Sequence, residues 1–141
     1  MIKFAIVGCG RIAQRHAEIL GNNLIKHSKL VAVCDKVFSK AKTLGEKFNV
    51  KYYKSMTEMM NKSEIDVVAV LTESGLHSEH VIELTKYCKN IIVEKPMALT
   101  LIDADKMISE CDRMGTKLYV VKQNRFNLPI VKLRKAIDEN R

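Results

Sequence analysis

The sequence lacks the features that mark membrane, secreted and metal-binding proteins. None of its apolar runs reaches the roughly 18 residues that a membrane span requires. Met1 leads directly into an apolar, strand-like stretch rather than a cleavable signal. The four cysteines lie far apart without a C-x-x-C pair, so they indicate neither a disulfide framework nor a zinc knuckle. We therefore expect a cytoplasmic protein with reduced cysteines, no bound metal and no membrane association.

Single-sign charge blocks, low-complexity tracts and Pro/Gly-rich linkers are also missing. The net charge of +8 is spread along the chain, which favours solvated helix faces over a nucleic-acid-binding surface. A positive field still suits anionic ligands such as dinucleotides and nucleotide sugars. Because 141 residues, of which 47% are hydrophobic, can bury a core without disulfides or metals, we expect one globular domain.

What the sequence does contain is a regular alternation of strand-like and helix-like segments. Apolar runs rich in Val and Ile, typical of strands covered on both faces, occupy residues 2–7, 29–34, 66–72, 90–95 and 117–122. Amphipathic helices are predicted over 11–26, 37–48, 75–88 and 100–114, and a short strand at 51–53 precedes a short helix over 55–62. This alternation predicts an α/β fold with a doubly wound parallel sheet, the three-layer αβα arrangement of a Rossmann domain.

Apolar stripes predict which faces of the first and last helices are buried. In the first helix the stripe consists of Ile12, His16, Ile19 and Leu20. A last helix is predicted to follow Asn127, a candidate N-cap, with Pro129 in its first turn. Its apolar stripe consists of Ile130, Leu133 and Ile137.

A G-x-G-x-x-A motif at residues 8–13 lies between the first strand and the first helix. Gly8 would permit the tight turn, and Gly10 would let a pyrophosphate approach the backbone beside Arg11 and Ile12 at the helix N-terminus. The alternative is an ordinary glycine turn between a strand and a helix. The motif therefore predicts a dinucleotide site most strongly when other signals agree with it.

Asp35 is such a signal, because it ends the second strand 22 residues after Ala13. A carboxylate there can accept hydrogen bonds from the adenosine ribose hydroxyls, and it repels a 2′-phosphate. This favours NAD over NADP, although Lys36 could soften the preference. The alternative for Asp35 is a turn-forming residue at the end of a strand.

Further candidates follow the later strands, where open α/β sheets place their ligand crevice. The cofactor is expected to run beside Thr72, Glu73, Ser74 and His77 on one side and Glu94 and Lys95 on the other. His77 could equally be a helix residue that only packs. Lys95 could be a surface lysine, but a positioned ammonium could also bind a substrate hydroxyl, shuttle its proton and stabilise alkoxide charge. Pro96 would rigidify this turn and is compatible with a cis peptide.

Three motifs together resemble the N-terminal domain of the glucose–fructose oxidoreductase/inositol dehydrogenase (Gfo/Idh/MocA) family. These are the glycine motif, the sequence Glu94-Lys95-Pro96 and the segment Asn124-Arg125-Phe126-Asn127-x-Pro129. The Glu-Lys-Pro signature is the most diagnostic, and the resemblance covers essentially the whole chain. It implies an NAD(P)-dependent dehydrogenase that acts on CH-OH groups of sugars, cyclitols or their nucleotide derivatives, with Lys95 as the catalytic lysine.

The stretch VVKQNRFN at residues 120–127 is similar to family members that oxidise C3 of a UDP-N-acetylhexosamine or its uronic acid, on routes to surface polysaccharides. This similarity implies that Gln123 contacts the cofactor and that Asn124 and Arg125 face the substrate with Lys95. Arg125 could pair with an anionic substrate or could simply be solvated.

The departure from the family is size. The resemblance implies a dinucleotide-binding domain at residues 1–122 and, at residues 123–141, a crossover and the start of a helix leading to a second α/β domain. That absent domain would supply a catalytic histidine and the dimer or tetramer contacts, so we expect this chain alone to be inactive. The alternatives are a stand-alone cofactor domain and a non-catalytic, dinucleotide-sensing regulator of the same fold.

Overall fold

The computed structural model describes residues 1–140, which form one six-stranded parallel sheet with helices on both faces. The strands are β1 (Ile2–Val7), β2 (Ser28–Cys34), β3 (Lys51–Tyr53), β4 (Val67–Val70), β5 (Asn90–Val93) and β6 (Lys117–Val120). Their order across the sheet is β3-β2-β1-β4-β5-β6, and every neighbouring pair is parallel. The predicted doubly wound sheet is thus confirmed, with strand boundaries within two residues of the prediction.

The helices are α1 (Arg11–Gly21), α2 (Phe38–Phe48), α3 (Met56–Lys62), α4 (His77–Leu84), α5 (Leu101–Met114) and α6 (Leu128–Asp138). Short 3₁₀ turns occupy Ser74–Leu76 and Gln123–Phe126. None of the helices formed by residues 1–140 is long and apolar enough to cross a membrane.

Two predicted helices are too long. Helix α1 stops at Gly21 instead of residue 26, because the chain turns at Asn22 and Asn23, the latter with a left-handed φ of 54°. Helix α4 begins only after the 3₁₀ turn and stops before Thr85, whose hydroxyl donates to the Ile82 carbonyl at 2.8 Å. Such local side-chain bonds compete with the helical pattern and are invisible to apolar periodicity.

Two core clusters cover the two faces of the sheet. One cluster packs α1 and α2 on the sheet through Ala13, Ala17, Leu20, Ala41 and Leu44. The other packs α3, α4 and α5 through Met59, Val81, Leu84, Met107 and Cys111. Of the predicted stripe of α1, Leu20 is buried, His16 and Ile19 are half-buried and Ile12 is 42% exposed, whereas the small Ala13 and Ala17 allow the helix to lie close to the sheet.

Helix α6 forms where it was predicted but buries none of its side chains. Pro129 lies in its first turn, whereas the Asn127 side chain makes no cap and its amide donates to Asn124 Oδ1 at 3.1 Å. The predicted stripe is exposed at 43% for Ile130, 56% for Leu133 and 60% for Ile137. Both core clusters are complete before residue 122, and Arg141 of the predicted crossover segment lies outside the described residues.

Candidate functional site

The glycine turn after β1 closes the sheet against the start of α1. Gly8 has a φ of +92°, and its amide donates to the Cys34 carbonyl at 2.8 Å. A Cβ at Gly8 would lie 2.7 Å from the backbone of Leu71 and of Thr72. Both the left-handed backbone and the close approach of β4 therefore require glycine here, and the fold alone explains this residue.

Gly10 differs, because nothing in the fold requires glycine at this position. Its φ of −79° and ψ of −164° are open to any residue, and a Cβ would meet no atom within 4 Å. Gly10 is the N-cap of α1, which has no side-chain cap and no acidic residue in its first turn. The helix thus presents its amide groups and positive end to open space, an arrangement that fits a phosphate.

The Asp35 carboxylate is held beside this turn by two backbone amides. Its Oδ2 accepts from Cys9 N at 2.8 Å, and its Oδ1 accepts from Val37 N at 2.8 Å. Each oxygen keeps a further lone pair for a ligand hydroxyl. The turn-forming role and the ligand-binding role predicted as alternatives for Asp35 are therefore compatible.

A groove of about 590 Å³ opens over the carboxyl ends of β1, β2 and β4. This is the point where the strand order reverses, at which doubly wound sheets bind ligands. Among the predicted cofactor residues, the groove is lined by Gly8, Gly10, Arg11, Ile12, Asp35, Thr72 and Glu73. Ser74, His77, Glu94, Lys95 and Gln123 are not part of its lining. The structure thus brings together the half of the predicted site that begins at the glycine turn and passes Asp35.

Sequence reasoning missed several groove residues. They are Lys40, Lys54, Ser55, Met56, Leu76, His80 and Glu83. Those after β2 and β3 could have been found because they follow parallel strands, whose carboxyl ends share one edge of the sheet. Lys36 also reaches across the groove, with its Nζ 3.6 Å from Glu73 Oε2.

His77 was predicted to lie along the cofactor, but it is not among the residues that line the groove. Its side chain is buried, with Nδ1 2.8 Å from the Pro96 carbonyl and Nε2 3.0 Å from the Thr72 carbonyl. Either ring tautomer donates to one of these carbonyls. His77 therefore packs between the loop after β4 and the loop after β5 and donates to a carbonyl of one of them, which corresponds to the packing alternative.

Glu94 and Lys95 follow β5 and differ sharply in exposure. Glu94 is 7% exposed; its Oε2 accepts from Lys95 N at 3.0 Å, and its Oε1 lies 3.1 Å from His16 Nε2 on α1. Lys95 is exposed at the carboxyl edge of the sheet, and the Lys95-Pro96 peptide is cis, as the sequence allowed. Glu94 thus connects α1 to the strand end that presents Lys95.

The predicted residues of the last segment remain apart from the groove. Gln123, Asn124 and Arg125 are exposed in the 3₁₀ turn that follows β6. Ser74 begins the other 3₁₀ turn, directly after β4 and beside the groove residue Glu73. The structure therefore does not bring Asn124 and Arg125 together with Lys95 in one cavity.

The two thiols near the groove, those of Cys9 and Cys34, are expected to be unreactive at neutral pH. Burial, assisted by the Asp35 carboxylate, raises the pKa of both Cys9 and Cys34 to about 12. A thiol is nucleophilic only as the thiolate, so neither is suited to covalent catalysis at neutral pH. Within residues 1–140 there is also no group of three or more His, Cys, Asp or Glu side chains that could hold a metal ion.

Comparison with known proteins agrees with this geometry. The sequence pattern of the Gfo/Idh/MocA oxidoreductase family, NAD-binding Rossmann fold, matches residues 2–122. Myo-inositol 2-dehydrogenase of Thermotoga maritima is 33% identical over 138 residues, which are 97% of this chain and 41% of that enzyme.

Two similar crystal structures are WlbA dehydrogenases in complex with NADH and UDP-GlcNAcA. The Bordetella pertussis protein is 32% identical with a TM-score of 0.93, and 99% of this chain covers 42% of it. The Chromobacterium violaceum protein is 36% identical with the same TM-score, and 99% of this chain covers 40% of it. The chain thus spans about two fifths of the length of these relatives. It belongs to the Gfo/Idh/MocA oxidoreductase family and corresponds to the family's NAD-binding Rossmann domain.

Proposed function

We propose that the protein binds NAD in the groove and serves the transfer of a hydride to it from a secondary alcohol of a sugar or nucleotide sugar. The substrate we favour is a UDP-N-acetylhexosamine or its uronic acid, oxidised at C3. The observation that carries the proposal is Gly10, whose missing side chain has no reason in the fold but leaves the positive end of α1 open to a pyrophosphate.

The other groove residues support one direction for the cofactor. With the pyrophosphate at Gly10, the adenosine ribose would lie against Asp35, whose free lone pairs suit its two hydroxyls. A 2′-phosphate would meet the same carboxylate, and Lys36, the next residue in the chain, has its Nζ 3.6 Å from Glu73 Oε2. The geometry therefore supports NAD over NADP.

The nicotinamide half would then extend toward β5 and Lys95. Bound NAD would supply the hydride acceptor. Lys95, exposed at that edge, would bind the substrate hydroxyl and, as the neutral amine, take up its proton while the hydride leaves the carbon that bears this hydroxyl. Glu94 would act on the position of Lys95 rather than on the substrate, because it is buried and accepts the Lys95 amide. His77 would act in the same indirect way, because its buried ring packs between the loops that carry the Thr72 and Pro96 carbonyls.

The substrate class is supported by the similarity to the WlbA dehydrogenases, which were crystallised with UDP-GlcNAcA. Asn124 and Arg125 would reach this substrate from the turn after β6, and Gln123 would reach the cofactor from the same turn. Further residues would come from the part of the enzyme that corresponds to the rest of these relatives. That part would also form a homodimer or homotetramer, and we expect a cytoplasmic enzyme of polysaccharide biosynthesis.

The test uses a hybrid in which residues 1–140 continue into the C-terminal part of the Chromobacterium violaceum enzyme. We expect NADH formation with UDP-GlcNAcA or UDP-GlcNAc and not with free sugars, followed by absorbance at 340 nm. Lys95→Met should abolish turnover while NADH binding persists. An active Lys95→Met hybrid would contradict the catalytic role. NADH binding without turnover on any substrate would support the dinucleotide-sensing alternative.

A further inference from the structure

His80 is a groove residue to which the proposed function gives no role. It lies on the second turn of α4, half-buried, and borders the groove together with Met56 and Leu76. Its Nδ1 lies 3.0 Å from the Thr72 hydroxyl oxygen. The ring is thereby fixed in orientation by the loop that follows β4.

The protonation of this ring follows from its surroundings. Burial lowers the pKa of His80, and His77 acts in the same direction, whereas Glu73, Glu79 and Glu83 oppose them with smaller effects. The imidazole is therefore neutral at physiological pH and carries a single N–H. We assign the Thr72 hydroxyl as the donor to Nδ1, which leaves the proton on Nε2. Within residues 1–140, Nε2 makes no hydrogen bond.

The place of His80 along the groove determines which part of a dinucleotide it meets. The pyrophosphate position at Gly10 and the ribose position at Asp35 define one direction, and the base must lie beyond the ribose. His80, Met56 and Leu76 border the groove, whereas Lys95 on the nicotinamide side does not. Among the groove residues, Met56 and Leu76 are apolar and His80 offers an Nε2–H donor, a combination that matches a flat purine with acceptor nitrogens on its edge.

We propose that His80 Nε2–H donates a hydrogen bond to a ring nitrogen of the adenine base, so that His80 selects the adenosine half of the cofactor. Thr72 is then a positioning residue, because its hydroxyl fixes the ring and its tautomer without touching the base. This inference rests on the cofactor placement proposed above. It adds a base-reading contact to the phosphate and ribose contacts of the glycine motif and Asp35.

Three substitutions separate the contact with the base from the contact with Thr72. His80→Gln places an amide N–H near the position of Nε2, whereas His80→Asn reaches only the position of Nδ1. His80→Phe keeps the ring shape and removes both polar atoms. Each variant of the 141-residue chain is titrated with NADH, ADP-ribose and reduced nicotinamide mononucleotide by calorimetry, with thermal unfolding as the measure of folding.

We expect His80→Phe and His80→Asn to bind NADH and ADP-ribose about five- to tenfold more weakly, the effect of one buried hydrogen bond. Their affinity for the nicotinamide mononucleotide should not change, and His80→Gln should bind all three ligands within about twofold of the original chain. If His80→Phe does not fold, the Gln and Asn variants decide the question by the same criteria.

Two results would overturn the inference. One is an unchanged affinity of His80→Phe or His80→Asn for ADP-ribose, and the other is an equal loss of affinity for both halves of the cofactor. These results leave the cofactor site itself intact, provided that the original chain binds NADH. Failure of the original chain to bind NADH would refute the proposed cofactor placement and the base contact with it.

Discussion

Separate replacements of Gly8 and Gly10 should affect two different properties, the stability of the fold and the affinity for the cofactor. The two glycines are two positions apart in the same turn, yet the structure gives them different reasons to be glycine. Gly8→Ala should damage the fold, and Gly10→Ala should damage only the binding of NADH. Gly115→Ala is the control, because Gly115 also has a positive φ of 64° but ends α5 and is not among the groove residues.

The magnitudes follow from the local geometry. At Gly8 a Cβ adds backbone strain of about 1–3 kcal/mol and a clash with the β4 backbone of about 1–3 kcal/mol. Their sum, about 2–6 kcal/mol, is a large share of the ~5–15 kcal/mol that stabilises a domain. At Gly10 a stabilisation of about 0.4–1 kcal/mol from the stiffer unfolded chain is offset by the poorer N-cap, so the net change stays within about 1 kcal/mol.

The effect of Gly10→Ala on binding is larger, because the new methyl group enters the space between the pyrophosphate and the amides of α1. Loss of one charge-assisted hydrogen bond costs about 1.5–3 kcal/mol, which weakens NADH binding about ten- to a hundredfold. The assay combines thermal unfolding with an NADH titration followed by cofactor fluorescence. The unfolding temperature shifts by about 4 °C for each kcal/mol of lost stability in a domain of this size.

Gly115→Ala should lower the unfolding temperature, because of its positive φ, without changing the affinity for NADH. A Gly10→Ala chain that binds NADH as well as the original would refute the placement of the pyrophosphate. A Gly8→Ala chain with unchanged stability would refute the conclusion that the fold requires glycine at position 8. Equal losses of stability in Gly8→Ala and Gly10→Ala would show that Gly10 is also required by the fold.

Three other substitutions or treatments test separate parts of the site. Asp35→Asn should weaken NADH binding and reduce the discrimination against NADPH, because the carboxylate that repels a 2′-phosphate is gone; an unchanged NADH/NADPH affinity ratio in fluorescence titrations would contradict this. His77→Leu should destabilise the protein by about 1–3 kcal/mol in urea unfolding, because the Thr72 or the Pro96 carbonyl loses the ring N–H that donates to it, and an unchanged stability would contradict this bond. Native Cys9 and Cys34 should resist a thiol reagent at pH 7.5 and react only as the pH approaches about 12, where thiolate forms, whereas rapid native labelling of either would contradict their burial.

The groove contains only the adenosine and phosphate half of the proposed reaction site. Its residues account for a phosphate, a ribose and a base, whereas Lys95 lies outside it at the neighbouring strand end. Helix α6 leaves its apolar stripe exposed, and the turn that carries Asn124 and Arg125 is exposed as well. Cofactor binding is therefore testable on these 141 residues, and turnover needs the longer hybrid.

The sequence by itself determined the order of strands and helices, because local patterns carry that information. Runs of Val and Ile mark strands covered on both faces, and the glycine motif and Asp35 mark where the first two strands end. The fold, the family and the cofactor could be predicted from these signals. The ends of α1 and α4 could not, because they depend on individual turn residues such as Asn23 and Thr85.

Only the tertiary structure decided which polar residues meet. Glu94 pairs with His16, 78 positions away. The predicted cofactor residue His77 instead has its two ring nitrogens against carbonyls of two different loops. His80, three residues later on the same helix, reaches the groove instead. Burial or exposure of a helix residue depends on the angle at which the helix meets the sheet, and that angle results from packing between segments distant in sequence.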